Sequence, residues 1–453
     1  MIAPAQPGND AGHRVIARAA RFSGARVASA AALALAVAWS VPVATAVAAT
    51  SGPNAATAFG RAIEIHAPLN SSSPPSDALI TVSCASPGAC TAGGLYIDRR
   101  GHQQAMVVGQ SLGRWLRASE LQLPADAVST FAEVEGVACA LIGYCAAVGD
   151  YVSKSGQDEA FFAREVGGRW LRAQALALPV NAATPRFSRL RGVACTGRQA
   201  CTAAGDYQDA AGNDQAMVVT ETNGHLGRAR EISAPPNASK PVNVFATSIS
   251  CFRAGACVAA GGYTDRSGAF VPMSFTQSGG RWRRATAISL PGNALTGSAQ
   301  SAPLNSVSCT ASGFCTAVGE YHTSSAVRAM AISGSRRLSG RTSEITAAPP
   351  GVAHAFETDL QSVSCPSAQR CVAVGVIFEP SASGHENLSM SLIRMNGHWG
   401  SAHMIQLPAN ALTGADTHAV AYGTSCTRSG YCAAVGAYSP VTVNPRAMAA
   451  VMP

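Results

Sequence analysis

The chain has 453 residues, 47% of them hydrophobic and only 13% charged, with 44 glycines and 25 prolines spread along its length. This turn-rich composition is typical of an all-β globular protein. The formal net charge of +8 comes from scattered arginines, and lysine occurs only at Lys154 and Lys240. Without a basic cluster, the charge does not indicate a nucleic-acid-binding surface, and none is expected.

The N-terminal segment has the pattern of a secretory signal. Four arginines precede an alanine-rich run over residues 27–49, and the small residues 46–48 fit an A-x-A cleavage site. This predicts a signal peptide over residues 1–48, a linker over 49–58, and a secreted or cell-wall-associated protein. Because the run approaches the ~20 residues that span a bilayer, an uncleaved N-terminal anchor is the alternative. Pro42 and the weak hydrophobicity of alanine favour cleavage, after which no membrane insertion is expected.

The fourteen cysteines define an internal repeat of about 57 residues. They form seven C-x5-C pairs, which begin 55 to 61 residues apart: Cys84 and Cys90, Cys139 and Cys145, Cys195 and Cys201, Cys251 and Cys257, Cys309 and Cys315, Cys365 and Cys371, and Cys426 and Cys432. Two cysteines on the strands that flank a tight turn lie within disulfide reach, and an exported protein meets an oxidising environment. We therefore expect one structural disulfide in each repeat. The spacing does not fit a zinc ribbon, and no metal site is predicted.

Each repeat contains four short strand patterns. In the unit that opens at Asn305 these include SVSC (306–309) and, after a turn, CTAVGEY (315–321). A third strand carries an Ala-Met or Ala-Phe pair, and a fourth opens with tryptophan and runs to a proline, as in residues 115–124. Four antiparallel strands make one propeller blade, so the sequence predicts a seven-bladed β-propeller over residues 59–453. Tryptophans at one repeat position are expected to be packing anchors: Trp115, Trp170, Trp282 and Trp399.

The phase of the repeat predicts how the ring closes. The last unit ends with its third strand at residues 446–453. It lacks a fourth strand of its own. Residues 59–70 (FGRAIEIHAPLN), at the other end of the chain, align with the fourth strand of the third unit, LGRAREISAPPN at 226–237. We expect the N-terminal strand to complete the last blade and so remove an open sheet edge.

The repeat, written SC-x5-C-x-A-V-G-x-Y and followed by G-G-x-W, resembles repeats of secreted bacterial β-propellers and, more distantly, sialidase-like and kelch-like propellers. The resemblance covers residues 59–453 and implies the propeller fold. Sialidase-type repeats carry an aspartate in this hairpin, which SGGRW (278–282) and NGHW (396–399) lack. No catalytic residue is therefore transferred from that resemblance.

No motif in the chain indicates a reaction. Residues 109–113 read G-x-S-x-G, but the repeat places Ser111 in a hairpin between the third and fourth strands rather than in a strand-to-helix turn. The favoured hypothesis is a monomeric, non-catalytic module that binds an extracellular protein or carbohydrate. The alternative is a polysaccharide-active glycoside hydrolase or lyase of propeller type that uses acids of blades 5–7.

Candidate ligand-binding residues lie where the later repeats depart from the others. They are Glu320, His322, Glu379, His385, Glu386, Asp416 and His418. No cofactor is predicted, with calcium as the alternative. Asp150, Asp206 and Glu320 share one repeat position and could ring the channel mouth to hold that ion, although solvated strand ends are the favoured interpretation.

Overall fold

The computed structural model describes residues 58–346, 357–381, 384–414, 417–441 and 444–453, which form a ring of seven antiparallel sheets. The predicted seven-bladed, all-β propeller is confirmed. The predicted signal peptide and most of the linker lie outside the described residues. Within these ranges the one helical segment is a 3-10 turn at Gly297–Ala299, and no helix is long and apolar enough to cross a membrane.

The first three blades each contain three long strands and two short outer segments. Blade 1 comprises β2 (Asp77–Ser86), β3 (Ala89–Ile97), β4 (Gln103–Ser111), β5 (Arg114–Trp115) and β6 (Ser119–Glu120). Blade 2 comprises β7 (Ala127–Leu141), β8 (Tyr144–Ser153), β9 (Asp158–Val166), β10 (Arg169–Trp170) and β11 (Gln174–Ala175). Blade 3 comprises β12 (Ser188–Gly197), β13 (Ala200–Gln208), β14 (Asp214–Thr222), β15 (His225–Leu226) and β16 (Arg230–Glu231).

The remaining blades follow the same plan, except that the described part of blades 5 and 7 has one short outer strand each. Blade 4 comprises β17 (Val244–Arg253), β18 (Ala256–Thr264), β19 (Phe270–Ser278), β20 (Arg281–Trp282) and β21 (Thr286–Ala287). Blade 5 comprises β22 (Leu304–Cys309), β23 (Phe314–His322), β24 (Val327–Ser335) and β25 (Ser343–Glu344). Blade 6 comprises β26 (Glu357–Ser364), β27 (Arg370–Ser381), β28 (Gly384–Met395), β29 (His398–Trp399) and β30 (His403–Met404). Blade 7 comprises β31 (Ala419–Cys426), β32 (Cys432–Tyr438), β33 (Arg446–Met452) and, from the N-terminal end of the chain, β1 (Ile63–Glu64).

The N-terminal strand closes the ring as predicted. In blade 7, β1 lies antiparallel to β33, with Ile63 opposite Ala449 and Glu64 opposite Met448. The Glu64 carboxylate accepts hydrogen bonds from Tyr438 and Asn410 at 2.7 and 2.8 Å. Two segments about 380 residues apart in sequence are thus joined in one sheet.

The fourth strand is not the continuous strand predicted over residues 115–124. In blade 1 it is broken into β5 and β6, because the backbone between them turns to the neighbouring blade. The N–H of Ala118 donates to the carbonyl of His66, in the segment that follows β1 of blade 7. Both halves of the outer strand therefore pair with β4, and the residue between them bonds to the neighbouring blade.

The seven first strands surround the central channel, and each packs against the first strands of the blades on both sides. Serine side chains connect them: the Oγ of Ser83 accepts from the N–H of Cys139 at 2.9 Å, and the Oγ of Ser425 accepts from the N–H of Cys84 at 3.0 Å. Ser250, Ser308 and Ser364 make the same bond to the next blade. Alanine replaces the serine in blades 2 and 3. A nearly complete belt of hydrogen bonds thus links the inner strands.

All seven predicted disulfides are present, and each joins the first-strand side of a hairpin to its second-strand side. The bridges, in blade order, join Cys84 to Cys90, Cys139 to Cys145, Cys195 to Cys201, Cys251 to Cys257, Cys309 to Cys315, Cys365 to Cys371, and Cys426 to Cys432. The paired Cα atoms lie 3.9 to 4.0 Å apart because the cysteines lie opposite one another across the hairpin. So many disulfides are typical of an extracellular protein.

The disulfide hairpins distinguish the two faces of the ring. We call the face that carries them the disulfide face. The opposite face, where second strands connect to third strands, is called the loop face.

Candidate functional site

A β-bulge in every first strand determines which side chains enter the channel. In blade 2, Val134 pairs with Gly149 and Gly136 with Val148, so Glu135 is left between two pairs. The repeat glycine makes this possible, because a Cβ on Gly149 would overlap the carbonyl oxygen of Glu133. The glycine of the C-x-A-x-G-x-Y motif therefore allows close approach at the bulge, and the bulged side chain points to the channel.

The seven bulged residues differ in every blade, although the backbone around them is repeated. They line a central cavity of about 310 Å³ and are Ile80, Glu135, Arg191, Thr247, Asn305, Gln361 and Tyr422. Packing alone would favour similar residues at equivalent positions. We therefore identify this ring, called the bulge ring below, as the candidate functional site.

One side of the channel, formed by blades 7 and 1, is apolar. Ile80 and Tyr422 pack there on a small cluster of Ala78, Leu95 and Ala437. Burial raises the pKa of the Tyr422 phenol, and the nearby carboxylate of Asp359 adds to that shift. Tyr422 therefore stays neutral and presents an aromatic ring to the cavity.

The wall formed by blades 2 and 3 is densely charged. Arg191 donates to Asp206 at 2.9 Å and lies 3.6 Å from Glu135. Arg189 pairs with Asp158 at 2.7 Å, and its Nε lies 4.0 Å from Asp150. Burial lowers the pKa of Arg191, but Asp206 and Glu135 outweigh that effect and raise it, so this guanidinium remains charged.

The interpretation of Asp150 and Asp206 as solvated strand ends was wrong. Both residues are 0% exposed, because β8 and β13 are buried at nearly every position along their length. Burial, followed by repulsion from neighbouring carboxylates, raises the pKa of Asp150 well above its usual range and that of Glu133 to about 8. The alternative of a ring formed by Asp150, Asp206 and Glu320 is not supported by these contacts either, since Asp206 pairs with Arg191 while Glu320 lies beside Asp359 in blade 6.

The wall formed by blades 5 and 6 carries amides and acids. The amide of Asn305 donates to Asp359 at 2.9 Å, and Gln361 also donates to that carboxylate. Burial raises the pKa of Asp359 to about 7, although the hydrogen bonds from Gln361, Asn305 and Glu320 oppose the rise. Hydrogen-bond donors and acceptors are thus concentrated opposite the charged wall.

The predicted site residues are not shown to form one site. Glu320 and His322 both lie on β23: Glu320 lines the channel, whereas the backbone of His322 bonds to the side-chain amide of Gln300. Glu379 and Glu386 lie opposite one another on β27 and β28, and His418 forms a bridge with Asn387 next to Glu386.

Two of the predicted positions lie partly or wholly outside the described residues. The backbone of His385 pairs with Pro380, but its side chain is outside the described part of the chain, as is the whole of Asp416. Their role as ligand-binding residues therefore stays a prediction.

Sequence reasoning missed the whole bulge ring. Its signal was available: each member is the fourth residue before the first cysteine of its pair, and that position is variable within an otherwise regular repeat. The predicted strand SVSC began at Ser306, whereas β22 begins at Leu304, so Asn305 was placed outside the strand.

A second missed feature is structural. The buried repeat tyrosine donates to an asparagine and a glutamate of the outer strand region, as Tyr207 does to Asn181 and Glu231 at 2.9 and 2.7 Å. Blades 1, 5 and 7 repeat this arrangement. In blade 6, isoleucine replaces the tyrosine and Met404 stands at the position of the glutamate, whereas blade 4 keeps the bond from Tyr263 to Asn237 and has Ala287 at that position.

No family model matches the sequence, and no curated protein does. Among solved structures, the chain is similar to a protein of unknown function from Dyadobacter fermentans, with 10% identity, a TM-score of 0.48, and coverage of 87% of this chain and 98% of that one. It is also similar to an ulvan lyase, with 7% identity, a TM-score of 0.46, and coverage of 87% of this chain and 94% of that one. A third similar structure is a Hadza microbial sialidase, with 11% identity, a TM-score of 0.41, and coverage of 77% of this chain and 73% of that one. At these values the likenesses carry no inference about activity.

Proposed function

We propose that the protein is an extracellular propeller that binds a carbohydrate in its central channel without transforming it. The observation that carries this proposal is the bulge ring, in which a different side chain projects into one cavity from every blade. Such a ring suits a ligand whose chemical groups differ from one side to the other.

A sugar fits the distribution of chemistry around the ring. Its hydroxyl groups can donate to and accept from Asn305, Gln361 and Glu320, while its C–H face can pack on the Tyr422 ring. An aromatic body with few positioned polar groups is the usual composition of a small-ligand site.

The test is a binding screen of the mature domain against glycans and cell-wall polysaccharides, followed by calorimetry on any ligand found. Tyr422→Ala and Gln361→Ala are each expected to weaken binding by about tenfold or more, which corresponds to ~1.4 kcal/mol. Tyr144→Ala is the matched control, because Tyr144 begins β8 on the disulfide face, where Arg198 stacks on its ring. Unchanged binding by both channel variants, or binding of a protein but of no glycan, would contradict the proposal.

A catalytic function is the second candidate, and one observation favours it. The pKa of Asp359 is about 7, which suits a general acid at neutral pH, and its carboxyl lies in hydrogen-bond reach of Glu320. Glycosidases, however, hold their two carboxyl groups about 5 to 9.5 Å apart, farther than a hydrogen-bonded pair. Turnover of a bound polysaccharide that disappears in Asp359→Asn would establish catalysis and replace the binding-only proposal.

A further inference from the structure

Three carboxylates converge on the blade 2 wall of the channel. Glu133 and Glu135 flank Val134 on β7, and Asp150 is the direct partner of Glu133 on β8. Each can present one oxygen within 4.8 Å of the oxygens of the other two. Two oxygens that each lie ~2.4 Å from one ion are at most ~4.8 Å apart, so the three residues meet the geometric condition for sharing a cation.

Asp150 supplies an independent observation. It is 0% exposed, and neither of its carboxylate oxygens has a hydrogen-bond partner among the described residues. The nearby Nε of Arg189 is 4.0 Å away, at the outer limit of an ion pair. An ionised carboxylate is costly to bury unless it is paired or coordinates a metal, so a cation bound beside Asp150 and Glu133 would stabilise the ionised form of this side chain.

The two arginines of this wall are engaged elsewhere. Arg189 makes its short contact to Asp158 at 2.7 Å, and Arg191 makes its short contact to Asp206 at 2.9 Å. Because Arg191 also lies 3.6 Å from Glu135 and Arg189 lies 4.0 Å from Asp150, these two guanidinium groups are shared among five carboxyl groups. A divalent cation would reduce that excess of negative charge.

We propose that Glu133, Glu135 and Asp150 bind one calcium ion in the channel wall of blade 2. All three donors are hard oxygen atoms, which suit calcium rather than zinc. Calcium accepts irregular oxygen sets completed by water, whereas magnesium demands near-octahedral geometry. Glu135 lines the cavity, so both the ion and its water ligands can enter from the channel.

The other blades show that this cluster is specific. At the positions of Glu133, Glu135 and Asp150, blade 3 has two arginines and one aspartate, and blade 6 has one acid followed by Gln361 and Val376. Among the seven repeats, only blade 2 carries an acid at all three positions. The cluster is therefore not a by-product of the repeat.

The experiment is calorimetric titration of the chelator-treated mature domain with calcium chloride, together with thermal unfolding with and without the ion. One site per chain is expected, with a dissociation constant of about 1 mM or tighter, the range of extracellular calcium modules. Asp150→Asn should weaken calcium binding at least about tenfold and remove the calcium-dependent rise in melting temperature. Magnesium should bind more weakly than calcium.

Asp359→Asn is the matched control, because Asp359 occupies the position of Glu133 in blade 6 and is also buried. This variant should keep wild-type calcium affinity. If Asp150→Asn fails to fold, Glu135→Gln tests the same site from the cavity side and should also weaken binding. The proposal is overturned if the wild-type protein shows neither binding heat nor a stability change at ~1 mM calcium, or if the variants bind as the wild type does. Calcium binding without glycan binding would support this inference and contradict only the proposed function.

Discussion

Removal of the N-terminal strand should destroy the ring, whereas removal of the segment before it should not. We would delete residues 59–67, which contain β1 and the side chains that anchor it, and compare this protein with one that lacks residues 50–57. The control segment carries no strand pattern in the sequence. The two deletions are of nearly equal length, so chain length alone does not distinguish them.

The expected cost follows from burial. Phe59 is 6% exposed and Ile65 is 2% exposed, and truncation of such residues to alanine costs about 3–5 and 2–5 kcal/mol respectively. The deletion also removes backbone bonds from Gly60 and Ile65 to β33 and leaves Arg446 without Glu64, now 2.6 Å away. The loss is comparable with the total stability of an ordinary domain, about 5–15 kcal/mol.

The assay is thermal unfolding with size-exclusion chromatography on the two truncated proteins. Loss of a cooperative transition and aggregation through the exposed edge of β33 are expected only for the 59–67 deletion. Adding a peptide with the sequence of residues 59–70 should restore the transition. If both truncated proteins melt at one temperature and remain monomeric, the N-terminal strand does not close the propeller, and the count of seven complete blades is wrong.

The remaining predictions concern covalent structure, processing and pH. Non-reducing peptide mapping should find the seven local disulfides, and any long-range bridge would contradict the blade assignment. N-terminal sequencing of exported protein should begin at or near Ala49, whereas membrane retention with the apolar run attached would indicate an anchor. Because the pKa of Asp359 is higher in the folded protein (about 7) than its ordinary value of 3.8, its contribution to stability is full below about pH 4 and is lost as the pH rises to about 7. The loss that Asp359 causes should be at most ~4 kcal/mol and should depend on its neighbours Glu320 and Tyr422. In urea unfolding at pH 4 to 8, Asp359→Asn should lack this part of the fall in stability but keep the part that comes from Glu133, whose pKa burial raises to about 8. Ser308→Ala should cost ~1 kcal/mol in the same assay, since the N–H of Cys365 loses its acceptor, and an unchanged midpoint would deny the serine belt an energetic role.

The architecture was predictable from the sequence because it is repeated. Cysteine spacing located the strand hairpins, and the match between residues 59–70 and 226–237 revealed the permuted phase that the pairing of β1 with β33 confirms. Each of these inferences used a pattern that recurs several times.

The candidate site was much less predictable because it depends on what the repeats do not share. Loop length directed attention to blades 5–7, but side-chain direction at Glu135 and Tyr422 depends on a bulge, which is visible only in the pairing register of two strands. Asp359 was missed for a related reason: its environment comes from Asn305 in the preceding blade, 54 residues away.

The closing blade also determines how the molecule can be held. Met452 lies opposite Cys432 of the disulfide hairpin, and Gly60 donates to Val451 next to it. The described chain therefore starts and ends at one edge of the disulfide face. An attachment made directly at residue 58 or after residue 453 would therefore join the propeller at that edge, on the face opposite the loop-face mouth of the channel. A propeller immobilised on a surface directly through residue 58 or residue 453 would consequently present the loop-face mouth of its channel to soluble ligands.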